Sequence, residues 1–188
     1  MIGSRCNYDC MYCPAELHDD YSQPHDLDVM KQAWQNIHIK TSGCGLQYKI
    51  SITGGEPTAN KNFLPFVRWL RAEYNDIAMI SLTTNGSASV DFYQKLCDLV
   101  EAISFSTHSE HMDEQQFFSK VELLDKLMIR PKKSLHVNIM DESWNQNRIQ
   151  MYQKWLDQRG ISNSINDIDL NYRIRDYPIM KGNLNLAV

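Results

Sequence analysis

No stretch of this chain stays apolar for the roughly 18 residues that a membrane-crossing helix requires, so a membrane partner is not expected. Positive charge is also short. Nineteen lysines and arginines face 23 acidic residues, a net charge of -4, and no basic stripe marks a nucleic-acid partner. Glycine and proline are sparse, at eight and six of 188 residues. No linker, repeat or low-complexity tract divides the chain, which reads as one domain over residues 1–188 with an irregular tail from about 178. No secretory leader is expected, since the polar Gly3-Ser4-Arg5 leads straight into the cysteines. The cysteines number five, an odd count with three crowded together. That argues against a secreted disulfide framework and for a reducing, cytoplasmic setting.

The crowded three are the most informative feature present. Cys6, Cys10 and Cys13 form a C-x3-C-x2-C cluster on one short segment. A closed structural zinc site wants four ligands, and an ordinary iron-sulfur cluster takes four cysteines. Three thiolates from one loop predict a metal centre with a position left open for chemistry. The rival is structural zinc completed by His18 or Cys44, which leaves the glycine turn and polar strand faces described next unexplained. Cys97, beside Leu96, Leu99 and Val100, reads as a core residue.

Short β patterns alternate with longer helical ones, the signature of parallel α/β folds. Strands are predicted over Tyr48–Thr53, Ile77–Thr84, Ala102–Thr107, Ser134–Met140 and Ile168–Ile174. Helices are predicted around Leu27–Ile39 and over Asn62–Tyr74, Asp91–Val100, Glu114–Met128 and Trp144–Gln158. Each strand alternates apolar with polar residues: Ile80 and Leu82 against Ser81 and Thr83, Leu135, Val137 and Ile139 against His136 and Asn138. A parallel sheet covered on both faces is apolar on both, and a closed eight-stranded barrel fills its interior with branched apolar side chains. One face here is repeatedly polar. We therefore expect a partial (β/α)6 TIM-like barrel, open on one side, with helices outside and a ligand-holding lumen. Only Met1–Gly3 remain for a strand before the cysteines, and no convincing helix follows Ile174, so the first and last units read as shortened.

With Thr53-Gly54-Gly55-Glu56-Pro57 read beside the cysteine loop, the chain resembles the radical S-adenosylmethionine (radical SAM) superfamily, whose two main marks are this cysteine spacing and a GGEP-type turn after the second strand. The resemblance runs from about Ile2 to Ile174. Its local form, Arg5-Cys6-Asn7 with Tyr12-Cys13-Pro14, looks most like the branch holding peptide-modifying enzymes and the molybdenum-cofactor cyclase. The resemblance implies a [4Fe-4S] cluster on Cys6, Cys10 and Cys13. Its fourth iron would hold the amino and carboxylate groups of S-adenosylmethionine, and an electron from a donor such as flavodoxin or ferredoxin would drive cleavage to a 5'-deoxyadenosyl radical that abstracts a substrate hydrogen. It also implies that Gly54 and Gly55 let the backbone approach the ligand, that Glu56 pairs with the methionine ammonium, and that Tyr12 lies beside the adenine. Strand-end residues Thr84, Asn85, Ser106, His108 and Asn138 would contact the ribose and carboxylate.

The substrate stays open at this level: a peptide or protein segment, a small polar metabolite such as a nucleotide or deazapurine precursor, or a glycyl-radical enzyme to be activated. From another class, the chain could be a module that binds S-adenosylmethionine without turnover. His108 is the histidine expected to do chemistry, whereas Ser109-Glu110-His111 reads as a solvated loop. Asp169 and Arg173 fall on the lumen face, as substrate ligands or as partners of each other.

Overall fold

The computed structural model describes residues 5–13, 26–142 and 145–168. In chain order these carry α1 (Leu27–Thr41), β1 (Tyr48–Ile52), α2 (Phe63–Glu73), β2 (Ile77–Thr84), α3 (Val90–Cys97), β3 (Ala102–Ser106), α4 (Glu114–Met128), β4 (Ser134–Asp141), α5 (Gln146–Asp157) and β5 (Asn163–Asp167). The strands form one sheet in the order β1-β2-β3-β4-β5, and every neighbouring pair is parallel. Right-handed crossovers between sequential parallel strands put successive helices on the same side. The sheet is therefore wound once, as in part of a TIM-like barrel, and its other face is left for a ligand.

The two faces keep the alternation read from the sequence. Ile52, Leu82, Ile103 and Leu135 share one row, since each pairs in register with the next, and all four are buried. Phe63, Val67 and Leu70 of α2, Leu96 of α3, Val121 and Leu124 of α4 and Leu156 of α5 pack against such rows with no exposure. Burying each of these side chains stabilises the fold by roughly 1.5–3 kcal/mol. On the opposite face Thr83, Ser104 and His136 pair in register, as do Ser106, Asn138 and Ser164.

Helix entry follows from local chemistry. The Ser89 side chain accepts the Phe92 N–H at α3, and the Asp113 side chain accepts the Gln116 N–H at α4, each cap contributing about 1 kcal/mol. At the amino ends of β2 and β3, Arg71 donates to the Leu99 and Ile77 carbonyls, both at 2.8 Å, and pairs with Glu101. The carboxylate of Glu101 in turn accepts the Ile80 N–H at 2.7 Å.

The strand expected over Ile168–Ile174 lies, from residue 169 on, outside the described residues; the last strand within them, β5 (Asn163–Asp167), is one the sequence reading does not predict. Asn and Asp are poor strand formers, so Asn163-Ser164-Ile165-Asn166-Asp167 carries little strand signal. Ladder pairing with β4 overrides it, Ile139 facing Ile165 and Asp141 facing Asp167. Of the six units expected, five strands fall among the described residues. Met1–Gly3, His18, Trp144, Asp169, Arg173 and the tail are not among them. Among the described residues no helix is long and apolar enough to cross a membrane.

Candidate functional site

A cavity of about 360 Å³ lies at the carboxyl ends of the strands, over the polar sheet face. That volume falls within the roughly 300–1,000 Å³ usual for small-molecule sites. Cys6, Cys10, Cys13 and Tyr12 reach it from the cysteine loop, Gly54 and Gly55 from the turn after β1, Thr84 and Asn85 from the end of β2, and Ser106 and His108 from the end of β3. Tyr8, Thr53, Thr83, Met140, Asp167 and Ile168 complete the lining. Thr53 and Thr83 continue the polar alternation already visible in the sequence. Asp167 was missed with β5, which carries it, and Ile168 follows directly after that strand.

Glu56 and Asn138 do not line the cavity. Asn138 sits on β4 beside Ser106, to whose hydroxyl its amide donates at 3.4 Å. Glu56 is turned inward, with 2% exposure. One carboxylate oxygen accepts the Thr58 N–H (2.9 Å), the Thr58 hydroxyl (2.6 Å) and the Thr84 hydroxyl (2.8 Å). The other accepts the Asn85 N–H at 2.6 Å. The Glu56 N–H donates to the Arg5 carbonyl at 2.9 Å. Glu56 thus ties together the cysteine segment, the glycine turn and the end of β2. In that turn Gly54 adopts φ 147°, a conformation essentially confined to glycine.

The cysteine loop is held from several sides. The Asn85 amide donates to the Asn7 side-chain oxygen at 2.9 Å and to Cys6 Sγ at 3.8 Å. The Cys13 N–H closes a turn on the Cys10 carbonyl at 3.0 Å. His108 Nδ1 meets the Tyr12 hydroxyl at 2.5 Å and Cys10 Sγ at 3.5 Å, with the two rings stacked. His111 stacks on Tyr8 with centroids 5.1 Å apart, and Glu110 accepts the Met11 N–H at 3.1 Å. The segment expected to be a solvated loop is a partly exposed loop with His111 exposed, yet it also packs against the cysteine loop; separations of about a hundred residues hide such contacts from local pattern.

Burial sets the protonation states here. It pushes the Cys10 thiol well above its ordinary range, helped by the Glu110 carboxylate, and it raises Cys6 as well. Tyr12 is raised by burial and then by Cys10. Burial, with His111 second, holds His108 down to about 4. Ligand-free, the pocket therefore contains thiols, a phenol and a neutral imidazole. A bound cation or cluster must displace the thiol protons.

The arrangement is that of a partial α/β barrel with a cysteine-lined cavity at the carboxyl ends of its strands. Residues 1–138 match the family model of the Radical SAM superfamily, and the chain belongs to that superfamily. A curated relative, GTP 3',8-cyclase of Campylobacter jejuni subsp. doylei, is 24% identical over 139 residues, 73% of this chain and 42% of the relative. The probable GTP 3',8-cyclase of Methanocaldococcus jannaschii is 26% identical over 143 residues, 73% of this chain and 45% of the relative. The chain thus spans less than half the length of these relatives. Among solved structures, Streptococcus suis SuiB bound to precursor peptide SuiA shares the fold, with a TM-score of 0.65 at 14% identity, over 98% of this chain and 43% of that one.

Superfamily membership implies a [4Fe-4S] cluster and S-adenosylmethionine, and the donor set fits the cluster. Cys6, Cys10 and Cys13 carry no disulfide and share one cavity. No group of three His, Cys, Asp or Glu side chains among the described residues is placed to hold a metal ion. A single tetrahedral zinc needs its ligands gathered on one point.

Proposed function

We propose that Cys6, Cys10 and Cys13 hold a [4Fe-4S] cluster and that the chain carries out reductive cleavage of S-adenosylmethionine. The cluster, reduced by a flavodoxin- or ferredoxin-type donor, would supply the electron that splits the sulfonium bond into methionine and a 5'-deoxyadenosyl radical, which takes hydrogen from a peptide, protein or small polar substrate. The observation that carries this reading is the convergence of the three cysteines and the Gly54–Gly55 turn on one cavity.

The chain's own residues contribute placement. Gly54 and Gly55 present bare backbone to the ligand. Glu56 acts from behind, fixing Thr84 and Asn85 at the wall. Tyr12 offers a ring face, locked by His108, on which a flat base can lie. Ser106, Thr83 and Thr53 offer hydroxyls for a polar ligand. Packing around the cysteine loop buries Cys10, Met11 and Tyr12, which limits water at that wall of the cavity. A nucleotide-type small substrate is the reading favoured by the relatives, which are named for GTP cyclisation.

The test is anaerobic reconstitution followed by reduction with S-adenosylmethionine. About four irons per chain and formation of 5'-deoxyadenosine are expected, and Cys10→Ala should abolish both. Iron-free protein with one tightly held zinc would refute the reading. Cluster assembly with ligand binding but no cleavage under strong reductant would favour a non-catalytic binding module.

A further inference from the structure

The β3–α4 loop offers a feature that the cleavage reading does not use. Ser109 is fixed by Glu142, which is 3% exposed; one Glu142 oxygen accepts the Ser109 N–H at 3.1 Å and the other its hydroxyl. The loop closes on itself through the His111 and Met112 N–H groups, both donating to the His108 carbonyl at 3.0 Å. From this braced base, Glu110 reaches the Met11 N–H at 3.1 Å. Met11 follows Cys10 directly, so the carboxylate lies against the backbone between two cluster ligands.

We propose that Glu110, braced through Ser109 by Glu142, is a positioning residue that holds the cysteine loop ready for the cluster and lowers the cluster's reduction potential through its negative charge. The proposal rests on the cluster reading above. Its physical content is twofold. The hydrogen bond to Glu110 fixes the Cys10–Met11 peptide, adding to the Cys10–Cys13 turn and the His108 contacts that already hold the loop. Cluster potentials depend on net charge and on hydrogen bonding around the sulfurs, and a nearby anion disfavours adding an electron. It also captures an amide N–H that could otherwise turn towards a sulfur.

Two variants separate the effects. Glu110→Gln keeps a carbonyl oxygen for the Met11 amide but loses the charge, and Glu110→Ala loses both. In the metal-free protein, hydrogen exchange across Cys6–Cys13 should be severalfold faster in Glu110→Ala and near wild type in Glu110→Gln. In the reconstituted protein, an EPR-monitored redox titration should give Glu110→Gln a higher potential, with the reduced-to-oxidised ratio at fixed potential shifted tenfold for each ~59 mV. Unaltered exchange in Glu110→Ala, or an unaltered potential in Glu110→Gln, overturns the proposal. Should Glu110→Ala lose exchange protection in α4 as well, it has unfolded, and the Glu110→Gln potential decides. Failure of the wild-type protein to take up iron would refute the cluster reading instead, with the exchange comparison still deciding the positioning role.

Discussion

The Glu56 carboxylate accepts the Asn85 backbone N–H at 2.6 Å, joining the glycine turn after β1 to the end of β2. With three further donors from Thr58 and Thr84 on its other oxygen, this buried anion fixes two walls of the cavity at once. We propose that its contribution to ligand binding is indirect. Glu56→Ala should destabilise the protein by about 2–4 kcal/mol, because buried donors lose their acceptor, and should weaken S-adenosylmethionine binding. Glu56→Gln should cost less. Urea unfolding and equilibrium ligand binding on the reconstituted protein read the two effects; wild-type stability in the alanine variant would contradict the assignment.

Gly86 stands directly behind Asn85 with φ 75°. A methyl added there would lie 2.8 Å from Phe117 Cε2 and 3.2 Å from Phe105 Cδ1, both on buried rings. Left-handed backbone costs an L-residue roughly 1–2 kcal/mol, and overpacking costs about 1–3 kcal/mol. Gly86→Ala should therefore lower the thermal midpoint by several degrees. It should also impair ligand binding, since the displaced backbone carries Asn85. An unshifted melting curve would show that Phe117 yields freely.

The strand and helix pattern was legible because apolar residues recur with clear periods. The chamber was legible because one strand face is polar: Ser81, Thr83, Ser104, Ser106, His136 and Asn138 all follow from alternation. β5 was not, since Asn163–Asp167 owes its form to pairing with β4 and not to its own side chains. Side-chain direction was also hidden. Glu56 follows the two glycines in sequence, yet its carboxylate points into the protein. His111 and Glu110 are loop residues as the sequence suggests, but only the placement of β3 beside the cysteine segment brings them to Tyr8 and Met11.

The Arg71–Glu101 pair lies at the opposite, amino-terminal end of the strands, with side chains 21% and 23% exposed. Arg71→Ala takes the guanidinium donor from the Leu99 and Ile77 carbonyls and the cation from Glu101, whose carboxylate keeps only the Ile80 N–H of the bonds described above. A loss of about 2–4 kcal/mol is expected in denaturant unfolding. Iron content and ligand affinity of the folded fraction should stay at wild-type values, because none of these groups lines the cavity. Loss of iron binding in the folded variant would mean that the two ends of the sheet are mechanically coupled.

His136, on the lumen face of β4, gives a pH test away from the cysteines. Nδ1 lies 2.8 Å from the Ser162 hydroxyl and Nε2 2.9 Å from that of Ser164, and burial lowers the imidazole pKa below its usual 6.5. Between the folded and unfolded pKa values the unfolded chain binds more protons, so stability rises with pH there. The neutral ring imposes no penalty above about pH 6.5. As pH falls below that value, protonation of the unfolded state progressively removes stability until the folded pKa is passed. His136→Asn should flatten this slope on the acid side and leave the stability difference unchanged with pH above about 7. Paired urea unfolding curves from pH 5 to 8 measure it, and parallel pH profiles for the two proteins would exclude His136 as the titrating group.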